Sequence, residues 1–298
     1  MVKKIFLYTK SSEIKEKKGA SDVVKKIGLS IMLLFFFLII ALPIYAWKIE
    51  PNLVHVNQVT VTLGKKNQRE PLNVVQLSDI QVSEFYETKR LDKVIKKVNR
   101  EKPDIIVFTG DLFDNYAKNP QQKEPMIEKL KQLQATIGKY AVWGNHDYGG
   151  GASAVYDEVM EASGFTVMKN QGETVTLADG RRLFIGGLDD SLLGNPSVSE
   201  TLSYRETYDY ALLMTHEPDV ADAFVGTGTQ LVLAGHSHGG QIWIPFYPIT
   251  NVLAEKYTRG LYQLDQETQL YVNTGLGTTA IHARFGVIPE ITHFTIYI

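Results

Sequence analysis

The sequence predicts an α/β protein carried behind one N-terminal membrane helix. Three observations lead there. Gly28 to Trp47 (GLSIMLLFFFLIIALPIYAW) is a run of twenty residues without a charge, about the length of a helix that crosses a bilayer. Downstream, apolar runs of strand length alternate with segments whose apolar residues recur at helical spacing, the pattern of βαβ units. Several of these runs end in Asp, Asn or His beside glycine, and open α/β sheets bind ligands beyond the carboxyl ends of their strands.

The leader, residues 1–27, holds eight lysines against Glu13, Glu16 and Asp22, a net +5. Tyr45 and Trp47 stand where an interfacial aromatic belt would be, and only Lys48 follows at once. The positive-inside rule then puts the N-terminus in the cytoplasm and the large domain outside the cell membrane. The rival readings are a cleaved signal peptide and a buried core helix. The leader is long for an n-region, the run is long for an h-region, and Ile44 is not the small residue a cleavage site at Ala46 wants. An uncleaved signal anchor over 28–47 is the better fit.

Residues 48–70 read as a connector and a first strand, with alternation over Val56–Leu63. A more buried strand follows at Asn73–Asp79. Leu91, Val94, Ile95 and Val98 mark a helix within Thr88–Glu101, which Pro103 stops. Ile105–Phe108 is the next strand, so this β-α-β unit predicts two parallel strands with a right-handed crossover. Met126, Ile127, Leu130 and Leu133 mark a helix, Tyr140–Trp143 a strand and Ala154–Ala162 a helix. Ala178-Asp179-Gly180 is a hairpin turn between Val175–Leu177 and Arg182–Ile185. Ala211–Met214, Leu231–Ala234, Leu270–Asn273 and Ile291–Ile298 are strands. Five strands thus end in Asp79, Asp111, Asn145, His216 and His236/His238, predicted to converge at one sheet edge.

The 298 residues carry a net −2, which leaves −7 on everything after the leader. A domain of that sign is no binder of nucleic-acid backbones. Cysteine is absent, which excludes disulfides and thiolate metal ligands. Singly, each polar strand tip is ordinary turn or capping chemistry. His236-Ser-His238 is a stronger signal, because alternate residues at a strand end face one way and can share one cation. Together, carboxylates, imidazoles and an amide oxygen suit Mn, Fe, Zn or Mg. Four of seven histidines (146, 216, 236, 238) stand at these tips.

Asp79-Ile-Gln81, Gly110-Asp111-Leu-Phe-Asp114, Gly144-Asn145-His146-Asp147, Thr215-His216-Glu217 and Gly235-His236-Ser-His238 together resemble the calcineurin-like metallophosphoesterase superfamily. The run Gly235–Gln241 with Ile242–Pro245, and Asn273–Gly277 with Arg284-Phe-Gly and Pro289–Thr292, resemble its membrane-anchored bacterial branch. The resemblance covers roughly residues 70–298 and makes 71–298 the catalytic domain. It implies a four-layer αββα sandwich and a binuclear metal centre that hydrolyses phosphoesters. One metal would be held by Asp79, Gln81, Asp111 and His238, the other by Asp111, Asn145, His216 and His236, with Asp111 bridging. His146 would act at the leaving group, Asp114 would accept from its ring, and Asp147 would fix the turn. The metals would be two divalent cations, Mn foremost. The substrate would be a phosphodiester, pyrophosphate or monoester, lipid-linked or diffusible; a relative of this branch type acts on a diacylated sugar nucleotide. The alternative is a catalytically weak or inactive metal-binding scaffold that binds a partner at the membrane.

One position departs from the pattern. The family usually has His two residues after the first Asp; here it is Gln81. Gln81 either ligates through its carbonyl oxygen or a water, or it points away. Ile242–Leu253 is rich in large apolar residues. It reads as a packed loop over the sheet edge, or else as a lip that meets lipid near the metals. Arg284 reads as a structural ion pair ahead of a substrate contact, and His55, His282 and His293 as incidental.

Overall fold

The structure is a computed structural model. It describes residues 2–62, 70–247 and 249–298, with side chains from Val23 onward. Leu63, the predicted end of the first strand, and Pro248 of the apolar loop lie outside the described residues. The chain divides into two compact units, Met1–Ala46 and Trp47–Ile298. The first is a helix, α1 (Val2–Ile44), with Pro43 near its end. Its apolar part is long and uncharged enough to cross a membrane.

The second unit holds two six-stranded sheets. The strands are β1 (His55–Thr62), β2 (Leu72–Leu77), β3 (Ile105–Phe108), β4 (Gly138–Ala141), β5 (Thr166–Val167), β6 (Gln171–Thr176), β7 (Arg182–Gly187), β8 (Tyr210–Met214), β9 (Leu231–Ala234), β10 (Gly260–Gln263), β11 (Gln269–Val272) and β12 (Glu290–Tyr297). The first sheet runs β1-β12-β2-β3-β4-β5 and the second β10-β11-β9-β8-β7-β6. In the first, β2 to β5 are parallel and β12 is antiparallel to β2. In the second, β7, β8, β9 and β11 are parallel and the edge strands β6 and β10 antiparallel.

Burial on both faces explains the central strands. Every residue of β3, β8 and β9 is buried, as expected of parallel strands covered on both sides. One apolar cluster lies between the sheets, including Val74 and Val107 from one and Leu212, Met214 and Leu233 from the other. A second packs the first sheet against α2 (Leu91–Arg100), α3 (Lys123–Leu130) and α5 (Tyr156–Ala162). A third covers the second sheet with the 3-10 segment Pro218–Phe224. This is a four-layer αββα sandwich. In α2 the buried residues are Leu91, Val94, Ile95 and Val98, the set that helical spacing picks out.

The fold corrects one expectation about the site. The polar tips do not converge at one edge of one sheet. β2, β3 and β4 supply three of them and β8 and β9 of the other sheet supply two, so the site straddles the seam. Three elements lie beyond those expected: β5, β10 and α6 (Val198–Ser203). β5 has two residues and β10 alternates exposed with half-buried positions, so neither shows an apolar period.

Candidate metal centre

Two groups of side chains present ligand atoms within 4.8 Å of one another: Asp111 with His216 and His236, and Asp79 with Asp111 and His238. Asp111 belongs to both. All five residues are buried. Asp79 follows β2, Asp111 follows β3, His216 follows β8, and His236 and His238 follow β9. The His-x-His pair therefore does not share one cation by geometry; its two rings fall in different groups. The reason is the backbone. His236 and His238 both take left-handed φ, +66° and +49°, which breaks the alternation a strand end would have given. Asp79, Gln81 and Asp111 are left-handed as well, at +48°, +51° and +63°. Such conformations cost about 1–3 kcal/mol each in non-glycine residues and gather at functional sites.

Small residues make this crowding possible. A Cβ on Gly235 would lie 2.5 Å from Asp79 Oδ2 and collide with Ser78 Oγ. One on Gly144 would lie 2.7 Å from Asp111 N and 2.8 Å from His216 Cε1.

The imidazoles are oriented by carbonyls, and this decides their tautomers. His216 Nδ1 lies 2.7 Å from the Thr109 carbonyl. His236 Nε2 lies 2.9 Å from the Val252 carbonyl. A carbonyl can only accept, so each of these nitrogens carries its proton. The remaining nitrogens, His216 Nε2 and His236 Nδ1, face each other at 3.3 Å. Both are lone-pair donors when the rings are neutral, and two lone pairs at that distance need a proton or a cation beside them. Asp79 Oδ1, Gln81 Oε1 and Asn145 Oδ1 are buried without a hydrogen-bond partner, and His238 presents Nε2 to Asp79 Oδ1 at 3.5 Å. Orphaned buried polar atoms are rare and call for an explanation. A divalent ion in each group fits these donors, which are hard or borderline throughout.

Electrostatics agree. Burial pushes Asp79 up to about 6, with the His216 charge opposing. Asp111 is held below the usual carboxylate range although burial acts upward, because His216 outweighs it. His216 stands well above an ordinary histidine: burial lowers it, but Asp111 raises it more. Burial and His216 push His236 down to about 4, and burial, then Arg284, pushes His238 well down. Without a metal, the cleft thus keeps one proton on His216 beside the Asp111 carboxylate. A cation that takes this place displaces that proton.

Gln81 points inward, not away. Its Nε2 donates to Asp111 Oδ2 at 2.7 Å, and its backbone N–H donates to the Asp111 carbonyl. Asn145 opens the one-turn helix α4 (Asn145–Tyr148). His146 Nδ1 lies 2.8 Å from the Asp114 main-chain carbonyl. The Asp114 carboxylate is at 3.7 Å, too far for a hydrogen bond. Asp114 thus holds the ring through its backbone, which is fixed by the Asp114 N–H donating to Val82. Arg284 is fully buried and donates to the carbonyls of Thr274, Gly277 and Val287. It pins that loop from within, where no substrate reaches it.

Asp147 fixes its turn through the Gly144 N–H, as expected, but its carboxylate also accepts from Asp111 N–H and Leu112 N–H, which the sequence did not suggest. It therefore ties the Asn145 loop to the Asp111 loop. Gln76 donates to Thr109, Thr109 to Ser78, and Ser78 to Asp79 Oδ2. A Gln in an otherwise apolar strand was the available signal. Asp190 and Glu217 are fully buried beside His216. Burial, and then Asp190, raise Glu217 to about 8. The doublet Asp189-Asp190 just past β7 could have flagged it.

Paired carboxylate and imidazole groups that share one aspartate, at the mouth of an αββα sandwich, define a metal-dependent phosphoester hydrolase. Residues 72–240 match the family model described as calcineurin-like phosphoesterase, and the chain belongs to that family. It is 41% identical over 255 residues to the uncharacterized metallophosphoesterase YkuE of Bacillus subtilis (strain 168), covering 85% of this chain and 88% of that one. An uncharacterized metallophosphoesterase of Aquifex aeolicus (strain VF5) is 30% identical over 254 residues, 83% of this chain and 94% of the other. A transmembrane protein with metallophosphoesterase domain from Danio rerio is 28% identical, with 76% of this chain and 53% of that protein covered. Family and clusters together support a dimetal centre.

Proposed function

We propose that this protein is a membrane-anchored, binuclear phosphoesterase that cleaves a phosphodiester, pyrophosphate or phosphomonoester, lipid-linked or diffusible. The observation that carries the reading is the shared carboxylate: Asp111 faces both groups while lone pairs on both sides lack partners. Asp79, Gln81, Asp111 and His238 would hold one cation; Asp111, Asn145, His216 and His236 would hold the other. Bound there, two cations would supply an acidified water and charge stabilisation of several kcal/mol at the phosphoryl group. The chain's residues do the rest. The carbonyls of Thr109 and Val252 keep His216 and His236 in the ligating tautomer. Gln81 steadies Asp111. His146, with part of its side chain open to solvent, meets the leaving group. Mn is the leading metal, since Gln81 gives an oxygen where an imidazole would favour Fe or Zn.

The test is hydrolysis of a chromogenic phosphodiester by the purified full chain in detergent. Turnover is expected with Mn; a protein inert with Mn, Fe, Zn and Mg alike is a scaffold. Gln81→His is expected to bind the first metal more tightly and to shift its preference toward Zn or Fe, read by metal analysis after dialysis. Unchanged metal content would place residue 81 off the metal.

The anchor spans residues 28–47 with the N-terminus in the cytoplasm and 71–298 outside, as the eight leader lysines favour. Protease added to intact cells is expected to degrade the domain. Full protection, with lysis restoring cleavage, overturns this orientation.

A further inference from the structure

The loop after His238 lays its backbone on the sheet edge, through the Val252 carbonyl and Asn251 at His236, but turns its largest side chains outward. Trp243, Ile244, Tyr247 and Val252 are exposed, and Phe246 is fully so. Water-facing aromatic and aliphatic side chains in one loop are the mark of an interaction surface. The surface continues. One pocket beneath the loop is lined by His238, Ile242, Ile249 and Ile281. A second is lined by Trp47, Phe85, Thr278 and His282, where the His282 ring stacks on Phe85 at 3.6 Å between centroids. The segment Thr278–His282 therefore joins the apolar loop to Trp47. Trp47 closes the uncharged run and begins the compact unit. The segment after it is welded to that unit. Glu50 is buried and accepts from the Val287 N–H at 2.6 Å, and Arg90 donates to the Pro51 carbonyl at 2.5 Å.

We propose that the loop Ile242–Val252 docks into the surface of the bilayer that the chain's own helix crosses, so that the mouth of the metal centre opens at the lipid headgroups. The inference rests on the membrane anchorage proposed above. The occupant is lipid because the rim is continuous with Trp47, the point where the apolar run ends. The pocket at Trp47 mixes Lys48, Lys89 and Arg90 with Glu84 and Glu87, a small net charge, so apolar insertion more than headgroup charge drives the contact. Tethering makes docking intramolecular, at an effective concentration on the order of millimolar. A contact too weak to recruit a free domain is then filled.

The chain lacks cysteine, so single labels can be placed cleanly. Phe246→Cys carries an environment-sensitive fluorophore (NBD) in the full chain, reconstituted into phosphatidylcholine–phosphatidylglycerol vesicles. Ala178→Cys, exposed at the tip of the β6–β7 hairpin at the opposite strand ends, is the control. The expected result is blue-shifted emission at 246 and loss of intensity with doxyl-labelled lipid, with neither at 178. Water-like emission at both positions overturns the proposal. So does a shift at 246 that doxyl lipid does not quench, which places another copy of the chain on the loop. Equal quenching at both positions overturns it too, because the loop is then no special face. Hydrolysis of the soluble diester by the wild-type chain is read in the same vesicles. Hydrolysis with a solvated loop defeats docking alone; an embedded loop without hydrolysis defeats the enzyme reading alone.

Discussion

Asp111→Asn is expected to empty both metal positions at once and to reduce turnover by roughly 10³-fold or more. The magnitude follows from the several kcal/mol a bound cation contributes, at about 1.4 kcal/mol per factor of ten. Asp111 is the one carboxylate common to both groups, and asparagine supplies a neutral oxygen on one side and a non-ligating NH₂ on the other. The local frame should survive, because Asn can still accept from the His146 N–H that Asp111 Oδ1 accepts at 2.9 Å. A second readout separates this from misfolding. In the metal-free protein Asp111 holds His216 well above the ordinary histidine range. Without that carboxylate the His216 pKa falls, which NMR titration of the ring detects. The sign for stability follows. A raised folded pKa gives stabilisation that is present below the unfolded value near 6.5 and lost as pH rises through the folded value. Asp111, held low by the same pair, loses its share as pH falls below the carboxylate range, so the metal-free variant should lose stability relative to wild type mainly between about pH 4 and 6.5. Retention of one full metal equivalent would mean that Asp111 does not bridge.

The same residue shows what the sequence could and could not express. Gly110-Asp111 after an all-apolar strand is visible in one dimension, and so are the strand order of the β-α-β unit and the buried face of α2. The motif set marks which tips carry chemistry. Pairing of the tips is different. That Asp79 meets His238 while His236 meets His216 depends on left-handed backbone at five of these positions and on two sheets whose edges adjoin. Neither is a property of local composition. The support beneath the ligands was hidden for a related reason. Gln76, Thr109 and Ser78 read as ordinary strand residues until three-dimensional contact makes them a chain of donors ending on Asp79. The apolar loop was legible in content but not in exposure, because large side chains near a sheet edge suit a core and a surface equally. Arg284 misled in the other direction: a charge near a site motif suggested an ion pair, and its partners are carbonyls buried within one loop.

His146→Gln is expected to keep both metals and lose roughly 10²–10⁴-fold in turnover on an unactivated diester, the range for a positioned proton donor. The Asp114 carbonyl at 2.8 Å fixes the ring with its proton on Nδ1. The second nitrogen, Nε2, is then the atom that can carry a proton to a departing oxygen. Burial lowers the ring's pKa, but Asp111, the Asp114 carbonyl and the Asp114 carboxylate raise it further, so the net shift is upward; bound cations would oppose that rise. The acid form is lost as pH rises, so wild-type turnover should fall along an alkaline limb that the variant lacks. Leaving-group dependence separates proton donation from charge stabilisation. A p-nitrophenolate leaves without a proton, so donation predicts a much smaller loss on that substrate than on an alkyl diester. Equal losses on both would assign His146 to the phosphoryl charge instead. Loss of metal in the variant would make it a ligand, against its place outside both clusters. Glutamine is the right replacement because its NH₂ can still donate to the Asp114 carbonyl, so the loop keeps its anchor while the titrating nitrogen disappears.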